Sequence, residues 1–184
     1  MSKGNLVTNS PSIILETERL RLRELQQSDF AELLAMLNDP LVMRYYPSTL
    51  DESATQVWID RVLQSYADRQ YGLWVVERKS NGEFVGQCGL LLQQVDGVAE
   101  IEVAYLFKSA HWHQGYATEA ARACRDYAFS KLGASTVISL IRPANLPSRA
   151  VAERNGMTVE KTTIFRGLEA LVYRVRSAGV ESGR

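Results

Sequence analysis

The stretch that most constrains the fold of this chain is residues 99–132. AEIEVAYLF (99–107) reads as a buried strand. HWHQGYATEA (111–120) is a short loop with Gly115 at its tip, and the alanine-rich ATEAARACRDYAFSKL (117–132) reads as a helix. A strand that feeds a helix through a glycine loop sets the start of the helix at the end of the strand. The first helical turn carries backbone N–H groups without partners, and the helix dipole is positive there. Gly115 has no side chain to hold a ligand away from the backbone. Such a site suits a pyrophosphate. The loop lacks the three spaced glycines of a dinucleotide fingerprint and the Gly-Lys-Ser/Thr of a P-loop. The phosphates are therefore neither those of a dinucleotide in a Rossmann fold nor those of ATP in a P-loop. On this loop alone, a plain turn glycine at 115 remains the competing reading.

The segments around it predict one mixed α/β domain over 13–176, with short tails at 1–12 and 177–184. In RLRLREL (19–25) Leu20 and Leu22 alternate with Arg19, Arg21 and Arg23, which predicts a strand with an apolar face and a solvated arginine face. Ser28 is placed to cap a helix from Asp29 to about Leu37, which Asn38-Asp39-Pro40 ends. Residues 40–50, PLVMRYYPSTL, predict an irregular apolar segment that is either core or a substrate wall. Asp51 opens a helix of about four turns, with Ala54, Trp58, Val62 and Tyr66 on one face and Val57 and Leu63 beside it. Strands follow at 72–78 and 83–95, joined by Ser80-Asn81-Gly82. A third comes at 98–107 after Asp96-Gly97. TVISLI (136–141) is a short strand of β-branched residues. A helix follows from Pro147-Ser148 to about Asn155, stopped by Gly156. Residues 157–165 and 169–176 form a closing hairpin.

Composition excludes more than it assigns. Lys+Arg and Asp+Glu are equal at 21 each, without the basic excess of a nucleic-acid-binding domain. No apolar run approaches the roughly 20 residues of a membrane helix, and the polar start MSKGNLVTNSPS has no signal-peptide core. The cytoplasm is the expected compartment. Cys88 and Cys124 lack metal-ligand spacing and read as buried core residues. His111 and His113 have no third ligand nearby in sequence and read as a solvated loop, so no metal is expected.

The run Trp112-His113-Gln114-Gly115-Tyr116-Ala117 resembles the cofactor motif Gln/Arg-x-x-Gly-x-Gly/Ala of the GNAT N-acetyltransferases. Trp stands at 112, as in the branch of RimJ/RimL-type ribosomal-protein N-terminal acetyltransferases. Four other stretches resemble that branch in the right order. They are 16–25 as its first strand, 30–46 as its first helical region, 102–107 as its fourth strand, and Asn145-Leu146-Pro147-Ser148 through Gly156 as its second cofactor-side motif. The resemblance implies a twisted, mostly antiparallel mixed sheet whose fourth and fifth strands splay apart around acetyl-CoA. It implies that the amides of His113, Gln114, Gly115, Tyr116, Ala117 and Thr118 cradle the pyrophosphate. The edge of Leu106 and Phe107 would pair with the pantetheine arm, and Asn145 would hold the end of the fifth strand near it.

Acetyl transfer to an amine needs a base for the ammonium and an acid for the leaving thiolate. Glu102 shares a strand face with Glu100 and matches the acidic residue before the fourth-strand Tyr of the branch, so it is the expected base, direct or through water. Glu100 reads as solvated or paired with an arginine. The second motif lacks the Tyr of many family members, and Ser148 takes its place as the hydroxyl near the sulfur, with helix capping as its alternative role. Tyr105 and Tyr116 are further hydroxyls. Tyr45, Tyr46 and Trp58 are candidates for an acceptor wall. The resemblance implies a protein or peptide α-amino group as acceptor. A small amine (amino acid, antibiotic or polyamine) and a non-catalytic acyl-CoA-binding module stay open, as does monomer or homodimer.

Overall fold

The computed structural model describes residues 11–178. The expected tails lie outside the described residues except at their inner edges. There the Ser12 carbonyl accepts the Glu24 amide (3.0 Å) and the Ser177 amide donates to Ser135 (2.9 Å). In chain order the elements are β1 (Ile13–Glu16), β2 (Leu20–Arg23), α1 (Phe30–Leu37), α2 (Glu52–Arg69), β3 (Leu73–Arg78), β4 (Phe84–Val95), β5 (Val98–Phe107), α3 (Tyr116–Ser130), β6 (Thr136–Ile141), α4 (Leu146–Arg154), β7 (Thr158–Phe165) and β8 (Leu168–Arg176). The strands form one sheet in the order β1-β2-β3-β4-β5-β6-β8-β7. Its pairs are antiparallel except β5 with β6. This is the expected mixed, mostly antiparallel sheet. No described helix is long and apolar enough to cross a membrane.

Both faces of the sheet are covered. The alternation along β5 divides its side chains between them. Val103, Tyr105 and Phe107 join the core under α3 and α4, which also holds Trp74, Cys88, Cys124, Val151 and Tyr173. Ala104 and Leu106 join the core under α1 and α2, with Leu33, Met36, Ile59, Val62 and Leu73. The helix α3 buries Tyr116, Ala120, Ala121, Cys124 and Ala128. That stripe of mostly small side chains lets the helix axis lie close to the strands. Cys88 and Cys124 are buried and free, as expected.

Local expectations fail where distant residues compete. The strand expected over 19–25 is β2, and β1, joined to it at Thr17–Arg19, is an additional strand, so the expected fourth and fifth strands are β5 and β6. Ser28 does not cap α1. It lies in a 3-10 turn, Gln27–Asp29, where the Asp29 carboxylate accepts the Gln26 amide (2.8 Å). Asp51 does cap α2, accepting the Ala54 amide at 2.8 Å, and the helix runs 18 residues with Thr55, Ile59 and Val62 buried. Val57 is exposed. Arg23 is not solvated. Its side chain is 11% exposed, with its guanidinium forked on Asp29 (2.8 Å twice) and its Nε on Glu77 (2.7 Å).

Candidate functional site

The glycine loop leaves β5 through a 3-10 turn, Ser109–His111, and the Trp112 indole donates to the Phe107 carbonyl (2.9 Å). His113 (φ 62°) and Gly115 (φ 81°) both take left-handed backbone. Glycine carries that conformation without the penalty other residues meet, and Gly115 directly precedes the first turn of α3. The amides of Tyr116, Ala117 and Thr118 are the orphan donors of that turn. Arg19 braces the loop from behind. It donates to the Gln114 carbonyl (2.9 Å), pairs with Glu119 (2.6 Å) and lies over the Tyr116 ring (4.8 Å). Glu119 also accepts from Thr17 Oγ1 (2.6 Å) and the Arg19 amide (2.9 Å). Partial burial would raise its pKa, but these hydrogen bonds and the Arg19 charge hold it below the ordinary value. The β1–β2 turn thus grips the start of α3. A Cβ at 115 would come within 3.3 Å of the Arg19 guanidinium.

At the other end of this region the sheet opens. Glu102 opposite Ile138 is the single registered pair between β5 and β6. The Lys108 amide bonds to Val85 of β4, so even-numbered β5 residues turn their backbone to β4 and odd-numbered ones turn it to β6. A continued parallel ladder would bring the Leu140 amide to the Val103 carbonyl. Instead Leu140 donates to Glu102 Oε1 (3.2 Å), and the Val103 carbonyl accepts from Ser139 Oγ (2.7 Å). Two side chains replace a lost backbone bond, and the strands part there. Beyond this point Tyr105 presents backbone to the gap. Leu106 lends its side chain, because its own backbone faces β4, and the outward carbonyl of Phe107 is taken by Trp112.

Glu102 is 8% exposed. Desolvation pushes its carboxyl above the ordinary carboxylate value against the pull of the Gln93 amide (2.7 Å), the Leu140 amide and the more distant Arg166 charge. Burial also drives up the Tyr105 hydroxyl, which donates to the Ser148 carbonyl (2.8 Å). Ser148 is not the cap of α4. Asn145 is, accepting the Ser148 amide at 3.2 Å. Glu100 pairs with Arg174 of β8 (2.7 Å), as one expectation had it. His111 is not solvated, for its side chain is 10% exposed and 3.2 Å from Glu83. No group of three possible metal ligands occurs among the described residues.

These features border one cleft of about 890 Å³. It is lined by Glu102, Leu106, Phe107, His113, Gly115, Tyr116, Ala117, Thr118, Asn145 and Ser148, and by Tyr45 and Tyr46. Gln114 does not line it and meets Arg19 instead. Tyr46 is 42% exposed as a residue, while desolvation at its hydroxyl and then the Glu102 charge push its pKa up to about 12. Arg44, Arg61, Arg142, Arg154 and Arg166 also line the cleft, and Glu102 is the only carboxylate among its described lining residues.

The family model described as an acetyltransferase (GNAT) domain matches residues 19–158. The chain belongs to the GNAT acetyltransferases. It is 42% identical over 164 residues to the uncharacterised protein YkkB of Bacillus subtilis, covering 89% of this chain and 95% of that one. An acetyltransferase of Agrobacterium tumefaciens has the same fold at TM-score 0.79 and 32% identity, over 96% of this chain and 100% of that one. RimL, a ribosomal α-N-protein acetyltransferase solved with coenzyme A, matches at TM-score 0.71 over 90% and 98% of the two chains. At 16% identity, that likeness is one of fold. This GNAT acetyltransferase is an acyltransferase with acetyl-CoA as cosubstrate. Its first-turn amides and its side-chain-free Gly115 suit the pyrophosphate in kind.

Sequence reasoning missed Arg19, Gln87 and Ser139. Only the alternation in 19–25 hinted at Arg19, and it was equally compatible with a wet face. Nothing near Gln87 or Ser139 in sequence marks them, because their partners lie 29 and 36 residues away.

Proposed function

We propose that this acetyltransferase belongs to the RimJ/RimL-like branch and acts in the cytoplasm on the α-amino group of a protein or peptide N-terminus. The observation that carries this reading is the charge of the cleft: arginines line it, and Glu102 is its one described carboxylate. A polycationic acceptor would need clustered carboxylates. GNAT folds named for small amines, an aminoglycoside acetyltransferase among them, share the scaffold, so the lining and not the scaffold discriminates. An α-amino group has a pKa near 7.7–8.0 against about 10.4 for a lysine side chain. A single buried carboxylate with a raised pKa suits the weaker base.

In this reading both substrates are held together, and proximity supplies much of the acceleration. The amide edges of the α3 first turn hold the pyrophosphate, and the β5 edge at Tyr105 and Phe107 holds the pantetheine arm beside Asn145. Glu102 takes the proton of the ammonium through a water. The neutral amine attacks the thioester carbonyl, the C–N bond forms and the C–S bond breaks. The Ser148 hydroxyl hydrogen-bonds the departing thiolate, which takes up the proton that the attacking nitrogen sheds as it becomes an amide. Tyr45 and Tyr46 flank the acceptor.

Thiol release is the test, against three acceptors: short peptides with free N-termini, the same peptides blocked at the N-terminus but bearing Lys, and polyamines. Turnover on the free α-amino group is expected. Turnover confined to Lys or polyamines would overturn the proposal.

A further inference from the structure

We propose that Gln87 forms an acceptor subsite in which its side-chain N–H groups donate to an acyl oxygen, carbonyl or carboxylate, of the amine being acetylated. This rests on the reading of the acceptor as a peptide α-amino group, whose own residue carries a carbonyl. Gln87 stands on β4 opposite Leu106, on the sheet face covered by α1 and α2. It lines the cleft and is 1% exposed. Its Oε1 accepts the Trp58 indole N–H at 3.0 Å. An indole nitrogen can only donate, so this bond fixes which end of the amide is which. The NH₂ end is left facing away from Trp58, and it has no partner among the described residues.

Buried donors are almost always satisfied, and one left empty is costly. Val62, Leu73 and Leu91, which line the same cleft, are apolar and offer no side-chain acceptor. An oxygen that arrives with the substrate supplies the missing partner in this proposal. A peptide N-terminus or an amino acid brings one. A polyamine brings only donors, which would face the Gln87 N–H groups and the cleft arginines without an acceptor. A site built to hydrogen-bond a substrate group rejects analogues that lack it, so Gln87 would sort acceptors by the presence of an acyl oxygen.

The experiment compares kcat/KM for a tripeptide and for a linear alkylamine of the same length without acyl oxygens, in the wild type and in Gln87→Met. The wild type is expected to prefer the tripeptide, and Gln87→Met to cut that preference by about 10- to 100-fold. Calorimetry should show acetyl-CoA affinity unchanged. An undiminished preference in Gln87→Met overturns the subsite. So does an equal loss on both amines, since that marks a packing defect around Trp58. If the wild type works on free amino acids and not on peptides, the N-terminal reading fails. The subsite then stands only if Gln87→Met loses the preference for the amino acid over its matched alkylamine.

Discussion

Glu102 serves two ends. Its Oε1 closes the point where β5 and β6 part, by accepting the Leu140 amide, and its place in the cleft makes it the proposed base. Glu102→Gln separates the two roles. The new amide keeps an oxygen for Leu140, and Gln93 can turn its own oxygen toward the added N–H, so the strands stay as they are. Turnover should fall by about 10²- to 10⁴-fold, the range for loss of a general base, with acetyl-CoA affinity little changed. Unchanged turnover removes Glu102 from the chemistry. The pH dependence follows from the raised pKa. The ionised base is lost on acidification at a higher pH than for an ordinary carboxylate. For stability the sign is opposite to that of a paired carboxylate. A raised folded pKa stabilises fully below the unfolded value of 4.5, and that stabilisation is lost as pH rises through the folded value. As pH rises from the unfolded value the folded state bears a growing cost at this carboxyl, so Glu102→Gln should be at least as stable at neutral pH by urea denaturation. A less stable variant at neutral pH would contradict this account.

Between elements, arginines of the first hairpin do the joining. Arg23 ties β2 to the turn before α1 through Asp29 and to β3 through Glu77, with side chains 11%, 10% and 16% exposed. Removing one member leaves buried charges without a partner, which costs about 3–5 kcal/mol. Arg23→Leu should lower stability by that order in urea titrations, while Arg21→Leu, whose pair with Glu16 is exposed, should change little. Equal effects for the two would show that burial is not what gives the Arg23 cluster its weight. Arg19 performs the same service for function. It ties the β1–β2 turn to α3 and to the Gln114 carbonyl, and so braces the first-turn amides proposed to hold the pyrophosphate.

Across the whole molecule, the cleft borders both helix layers, α2 on one face and α3 and α4 on the other, and the proposed mechanism seats both substrates in it together. No thiol is available for an acetyl-enzyme, because Cys88 and Cys124 are fully buried and burial pushes the Cys124 thiol well up. Initial-rate plots with both substrates varied should intersect, and mass spectrometry should find no acetylated protein. Parallel lines would point to a covalent route. Much of this molecule was legible beforehand. The strand order of the meander, the Asp96-Gly97 turn, the Asp51 cap and the start of α3 at Gly115 follow from patterns spanning ten residues or fewer. In such stretches backbone preference and alternation outweigh distant contacts. The sheet-and-helix framework and the place of the glycine loop are therefore readable from local pattern. It took the packed fold to show that Arg23 is buried, that Asn145 and not Ser148 caps α4, that Glu102 bonds across the parted strands, and that Gln87 lines the cleft with a donor that has no partner among the described residues. Each depends on partners dozens of residues away or on competition for one hydrogen bond. Burial sets the energy of charges and donors, and burial exists only once the chain has folded.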